Sequence, residues 1–266
     1  MKAFVRKILG DRLYLRLHLL LKKRDSPAQK ANKEFLGRVK FYSTFITKGD
    51  LCFDVGANIG NRVEPLLHIG ARVVAIEPQE ACHAQLLEKF DGRIILVKKG
   101  VGDAGGVKEF FISDASTLST FSRDFIENVK EGRFSQHAWN RSIPIEMTTL
   151  DDLIAQYGLP KFVKIDVEGY ELEVLKGLSQ PVDFISFEYM VPEQTDKVFH
   201  CIQHIESIQA AAEWNYSVGE SMDFALRRWM SGKEMKNLVR QPAFSATEFG
   251  DIYCRNQTTD TSAQHV

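Results

Sequence analysis

Beyond residue 32 the chain alternates short apolar, β-branched runs with stretches whose apolar positions recur every three or four residues. A period of two over a short run marks a strand, and a period near 3.6 marks a helix packed along one face. The pattern predicts strands near 50–55 (DLCFDV), 72–77 (RVVAIE), 94–98 (RIILV), 162–167 (FVKIDV) and 183–188 (DFISFE). Helices are predicted near 61–69, 79–90, 150–157, 169–176 and 194–211, with late strands at 214–218 and 248–254. This is the rhythm of a doubly wound α/β domain. Residues 104–147 break it: VKEFFIS and IPIEMTT predict an extra strand pair around a Ser/Thr-rich and then aromatic loop.

Before residue 33 the pattern differs. Val5, Leu9, Leu13, Leu17 and Leu20 form an apolar stripe, and RDSPAQKAN (24–32) predicts a polar connector. The expected organisation is therefore a basic amphipathic helix and linker over 1–32, one α/β domain over 33–256 with an insertion at 104–147, and a disordered tail over 257–266.

Composition excludes several classes. A chain of 266 residues with 44% hydrophobic residues supports one large core. The net charge of −1 gives no global reason to expect nucleic acid. That balance conceals eight Lys and Arg residues among the first 24 against the single acid Asp11. The apolar stripe is broken by Arg12, Arg16 and His18, short of the roughly 18 uninterrupted apolar residues of a spanning helix. Such a helix serves either packing, on its own domain or on a second copy in a homodimer, or contact with an anionic membrane surface. Cys52, Cys82, Cys201 and Cys254 lack metal-ligand spacing and read as buried thiols of a cytoplasmic protein, or of one held peripherally at the inner membrane face.

The first chemical signal is FDVGANIG, residues 53–60, a strand running through a glycine turn into a helix. Such a turn brings backbone N–H groups to a ligand at the carboxyl edge of an open sheet. Its GxxxG spacing departs from the dinucleotide pattern GxGxxG, which argues against a nicotinamide dehydrogenase. Asp54, Gly56, Asn58 and Gly60 are the candidate contacts, unless the loop is purely structural. Glu77, at the end of the next strand, is placed to accept from both ribose hydroxyls of a nucleoside, with a capping or surface carboxylate as the alternative. Asp103, after the third strand, could accept from an adenine amino group or be a turn aspartate.

The segment KFVKIDVEGYELEVLKG (161–177) carries four carboxylates. Asp166 and Glu168 end the fourth main strand and face the ligand crevice, unless Asp166 merely caps the next helix or meets Lys164. Glu171 and Glu173 complement the dipole of the following helix, and Gly177 suits its C-terminal stop.

Taken in order, FDVGANIG, VVAIEP, GVGD, TTLDDL, KIDVEGYELEVLKG and ISFE resemble the FkbM family of class I methyltransferases over about residues 50–190. The resemblance implies a Rossmann-like doubly wound sheet, mostly parallel with an antiparallel late strand. It also implies S-adenosyl-L-methionine as cofactor and methylation of a hydroxyl on a sugar or secondary metabolite. The chain departs from the family at Asn61-Arg62-Val63, where a small or aromatic residue followed by Thr or Ser is usual. The resulting expectation is an O-methyltransferase of a glycan or glycolipid sugar. The alternatives are a polyketide-type or other small-molecule acceptor, or a catalytically silent cofactor-binding partner of a biosynthetic complex.

Deprotonating a hydroxyl during methyl transfer requires a base. Asp166 is the first candidate, Glu168 the second and His137 of the insertion a competitor; a divalent ion on Asp166 and Glu168 is a further route, although no dedicated metal site is expected. Trp139 and Arg141, beside His137, suit either a sugar face or the tying of a long loop. His200 and His204 share a helix face but lack a third ligand in register.

The N-terminal stripe generates a direct test. The full-length chain should float with anionic liposomes at low salt and be released at high salt, and removal of residues 1–24 should abolish flotation. A full-length chain that ignores such vesicles, with a truncated chain that no longer folds, would instead make the helix a packing element.

Overall fold

A computed structural model of the chain describes residues 26–256. The basic helix predicted over 1–24 and the tail over 257–266 lie outside these residues. In chain order the strands are β1 (Leu51–Val55), β2 (Arg72–Ile76), β3 (Ile94–Val97), β4 (Gly100–Val101), β5 (Gly106–Ile112), β6 (Arg141–Thr148), β7 (Phe162–Ile165), β8 (Phe184–Met190), β9 (Ala212–Val218), β10 (Met230–Ser231) and β11 (Phe249–Asn256). The helices are α1 (Pro27–Tyr42), α2 (Val63–Ile69), α3 (Glu80–Phe90), α4 (Arg123–Val129), α5 (Leu150–Tyr157), α6 (Glu171–Lys176), α7 (Thr195–Ile208), α8 (Gly232–Val239) and α9 (Pro242–Ser245).

The main sheet runs β10-β9-β11-β8-β7-β1-β2-β3. Strands β3, β2, β1, β7 and β8 are parallel, and β11 is inserted antiparallel between β8 and β9. Strand β1 carries no exposed residue. Leu51, Phe53 and Val55 enter one apolar cluster and Cys52 the other, as expected for a central strand covered on both faces. The chain crosses from one half of the sheet to the other between β1 and β7, and this switch point sets the crevice for a ligand.

The insertion forms a separate sheet, β4-β6-β5, in which β5 and β6 pair antiparallel from Gly106↔Met147 to Ile112↔Arg141. Four helices, α1, α4, α8 and α9, were not read from the pattern. Helix α1 starts inside the predicted polar connector, where Ser26 and Gln29 cap one another: Ser26 N donates to Gln29 Oε1 at 2.9 Å, and Gln29 N to Ser26 Oγ at 3.2 Å. With Pro27 at the first helical position, this Ser-Pro-x-Gln start is a helix signal. Helix α8 begins with a capping box at Ser231 and Glu234. The described chain divides into two compact units, one ending at Gly37 and the other beginning at Arg38.

Gly177 does end α6, but at φ −80° rather than in the left-handed region. Its lack of a side chain is needed for space, because a Cβ there would lie 2.2 Å from the Gly102 carbonyl oxygen. Among the described residues no helix is long and apolar enough to cross a membrane.

At the centre of the sheet lies a buried cation. Lys164 on β7 is 1% exposed, and its Nζ is 3.0 Å from Asp166 Oδ2 and 2.9 Å from Asp251 Oδ1 on β11. Removing one partner of a buried pair leaves stranded charge at a cost of about 3–5 kcal/mol. Lys164→Met should lose stability of about that size in urea unfolding at neutral pH. An unchanged midpoint would show that these strands hold without their central cation.

Candidate active site

The carboxyl ends of β1, β2, β7 and β8 surround a cavity of ≈ 370 Å³, a size suited to a small-molecule ligand. Gly56, Asn58, Glu77, Asp166, Glu168 and Glu188 are among its lining residues.

The glycine loop is shaped by contacts within the protein. Gly56 has φ +86°, and a Cβ on it would lie 1.9 Å from the Asp166 carbonyl oxygen. The glycine thus lets the loops after β1 and β7 touch, where Asp166 N donates to Val55 O at 3.0 Å. Gly60, also at φ +86°, makes room for Phe90 and does not line the cavity. Asp54 is 1% exposed and also lies off the lining; burial pushes its carboxyl up to about 7, and its Oδ2 has no hydrogen-bond partner. Asp103 is exposed beside the cavity rather than within it. Lys99, Gly100, Val101, Ser116 and Thr117 line that side instead.

Glu77 holds this edge together. Its Oε2 accepts from Asn58 N and its Oε1 from Gln79 N, both at 2.8 Å. These bonds pin the β1 and β2 loops to one carboxylate that is 2% exposed. Burial raises the Glu77 pKa, opposed by the two backbone N–H groups. Each oxygen with one N–H bond retains a lone pair for a further donor.

A second buried acid does the same across the cavity. Glu171, which the sequence placed at a helix dipole, turns back so that Oε1 accepts from Val167 N and Gly169 N, each at 3.1 Å. Burial pushes its pKa up to about 7. This staple shapes the loop that carries Glu168 at φ +54°. The Glu168 carbonyl accepts from Thr120 Oγ1 at 2.7 Å, and the Gly169 carbonyl from Lys197 Nζ at 3.0 Å.

Asp166, Glu168 and Glu188 offer carboxylate oxygens that all lie within 4.8 Å of one another. Glu188, the last residue of the predicted strand DFISFE, was not among the expected site residues, although an acid at a strand end was its available signal. The three differ electrically. Burial disfavours charge on Asp166, but Lys164 outweighs it and holds the pKa below the ordinary carboxylate value. Burial followed by the charge of Asp166 pushes Glu168 and Glu188 well above theirs.

His137 does not line the cavity; its Nδ1 lies 2.9 Å from Asp114 Oδ1. Trp139 ties down the insertion, with Nε1 donating to the Leu118 carbonyl at 2.7 Å and its ring edge-on to Phe125. Arg141 is exposed at the start of β6. His204 Nε2 lies 2.9 Å from the Leu175 carbonyl oxygen, an interaction with backbone rather than with His200. Lining residues missed from the sequence include Arg38 and Glu220, which come from parts of the chain without a motif, and Gln79, which directly follows VVAIEP.

A family model described as "Methyltransferase FkbM domain" matches residues 54–231. Hexuronic acid methyltransferase AglP of Haloferax volcanii is 31% identical over 143 residues, which cover 52% of this chain and 54% of that protein. The chain thus spans about half the length of this curated relative. Among solved structures, precorrin-6Y C5,15-methyltransferase of Geobacter metallireducens superposes at TM-score 0.42 and 10% identity, covering 88% of this chain and 91% of that one. The plantazolicin methyltransferase BpumL, in complex with a desmethyl analogue and S-adenosylhomocysteine (SAH), gives 0.42 and 9%, covering 96% of each chain.

The residues present fit an adenosyl cofactor, because Glu77 is a buried carboxylate with acceptor capacity left for two ribose hydroxyls. Glu77→Ala should weaken SAH binding by about 1–3 kcal/mol, since it strands two N–H donors as well as the ligand hydroxyls. Titration calorimetry measures it, and unchanged affinity in a folded variant would move the adenosine elsewhere. Gly56→Ala should act on folding first, lowering the thermal midpoint before any ligand is added, because its Cβ meets backbone.

Proposed function

Because the chain belongs to the FkbM family of S-adenosylmethionine-dependent methyltransferases, we propose that it methylates an oxygen of a sugar in a glycan or glycolipid. The observation that carries this reading is the carboxylate group Asp166, Glu168 and Glu188 at the switch point, opposite the loop pinned by Glu77. The relative whose name specifies a hexuronic acid supports a sugar as the acceptor class.

When bound, the cofactor supplies a methyl group already activated by its sulfonium. The protein is left with two tasks: aligning the acceptor oxygen and removing its proton. Both fall to the acids. Asp166, kept ionised by Lys164 at 3.0 Å, is a fixed acceptor that orients a hydroxyl, but its lowered pKa makes it a weak proton acceptor. Glu168, with its pKa raised by burial and by the neighbouring Asp166 charge, is the stronger base. A base works best when its pKa lies near the working pH. We therefore assign orientation to Asp166 and proton removal to Glu168, reversing the order suggested by strand position alone. His137, held by Asp114 outside the cavity lining, takes no part.

Glu168→Gln and Asp166→Asn should each lower turnover about 100-fold, the lower end of the usual range for losing general-base assistance. SAH affinity should survive in both. A raised carboxyl pKa must be passed for the base to be unprotonated, so wild-type rate should climb as pH rises through it. Glu168→Gln should lose that climb, and Asp166→Asn should keep it but shifted to lower pH, because the Asp166 charge that raises the Glu168 pKa is gone. If Glu168→Gln methylates at a near-normal rate with the same pH profile, Glu168 is not the base. Loss of activity in EDTA, restored by magnesium, would instead give proton removal to a metal-lowered hydroxyl.

A further inference from the structure

One end of the cavity is lined by Arg38, Asn61, Arg62 and Glu220. Arg62 stands in the segment where the chain departs from the family pattern. It is 9% exposed, with Nη2 lying 2.8 Å from Glu220 Oε2 and Nη1 3.4 Å from Met222 Sδ. Arg38 Nη2 reaches the same carboxylate at 3.4 Å, while its Nε is buried without a hydrogen-bond partner. Two guanidinium groups thus share one carboxylate, with a buried donor left over. A planar guanidinium is matched best by a carboxylate taken bidentately, and an unpaired buried donor carries a desolvation cost until one arrives.

The present occupant is poorly committed. Glu220 has a side chain 56% exposed, in the 219–229 connection between β9 and β10. Phe224 anchors that connection against Phe41 with ring centroids 4.8 Å apart, so Glu220 could turn to solvent without releasing the loop. The arginines are far more enclosed, with side chains 18% and 11% exposed.

We propose that Arg38 and Arg62 form a carboxylate-binding subsite of the cavity, filled by Glu220 and yielded to the carboxylate of a ligand. The inference rests on the cavity being the methyl-transfer site. That chemistry has two sources there: the methionine end of the cofactor and a uronic-acid acceptor.

Titration calorimetry on the full chain separates them. One pair of ligands is SAH and its decarboxylated analogue S-adenosyl-3-thiopropylamine. The other, with SAH present, is a hexuronic-acid glycoside and the matching neutral hexoside. The carboxylate-bearing member of at least one pair should bind about tenfold or more tightly, about 1.4 kcal/mol. The pair that shows this preference names the source. Arg62→Gln and Arg38→Gln should each reduce it to less than about threefold, and Glu220→Gln should tighten binding of the same ligand by removing its competitor. Should Arg62→Gln fail to fold, Arg38→Gln and the exposed Glu220→Gln still decide. No preference in either pair, a preference that survives the arginine variants, or an unchanged affinity in Glu220→Gln overturns the subsite. A chain that binds no SAH at all refutes the methyltransferase reading and the subsite with it, whereas SAH binding without carboxylate preference refutes the subsite alone.

Discussion

The arrangement of the site depends on one ammonium group. Lys164 lies at the middle of the sheet, 1% exposed, with Asp166 on one side and Asp251 on the other. Placing a cation there costs several kcal/mol in lost hydration, which only close, well-bonded carboxylates offset. The requirement reaches across four neighbouring strands, from Asp251 on β11 past β8 and β7 to β1, where Asp54 stands in register with Lys164. It also decides which acid at the rim is charged. Asp166, bonded to Lys164, remains a carboxylate; Glu168 and Glu188, lacking such a partner, are driven toward their neutral forms.

A second level of organisation comes from acids that bond backbone rather than cations. Glu77 holds the loops after β1 and β2, and Glu171 holds the loop after β7. In each case one buried carboxylate satisfies two N–H groups that a tight turn would otherwise leave unpaired. The loops that meet the ligand are therefore braced by side chains buried beside them, so little ordering remains to be done when a ligand arrives.

Much of this was legible in the sequence, for identifiable reasons. Strands β1, β2 and β7 are short apolar runs followed directly by glycine or an acid, and that punctuation placed Gly56, Glu77 and Asp166 at one edge of the sheet. What the sequence hid was orientation. Nothing in the spacing of Glu171 says whether it faces the helix terminus or turns back to Val167 and Gly169. Gly56 was expected to leave room for a ligand; it lines the cavity, and it also leaves room for the Asp166 carbonyl. His137 and Trp139 looked exposed to a substrate, but local partners in Asp114 and Leu118 occupy them. Arg38 and Glu220 were invisible because they reach the cavity from distant segments, and only the folded topology joins them.

The hydroxyl of Thr120 links the inserted sheet to the loop of Glu168 through a single bond of 2.7 Å to a backbone carbonyl. Close to it, Ser116, Ser119 and Phe121 of the same insertion form cavity wall. A second tie runs through Lys197, whose Nζ bonds both Ser122 Oγ of the insertion and the Gly169 carbonyl, each at 3.0 Å. The insertion is therefore cavity wall and loop brace at once. Replacing its wall residues would reshape the cavity while these hydroxyls keep the loop in position. A transplanted insertion without Thr120 and Ser122 would bring new walls to a loop braced only from the other side, by Glu171 and Lys197. Cavity shape and loop geometry would then change together, and a designer seeking only the former would have to carry both hydroxyls across.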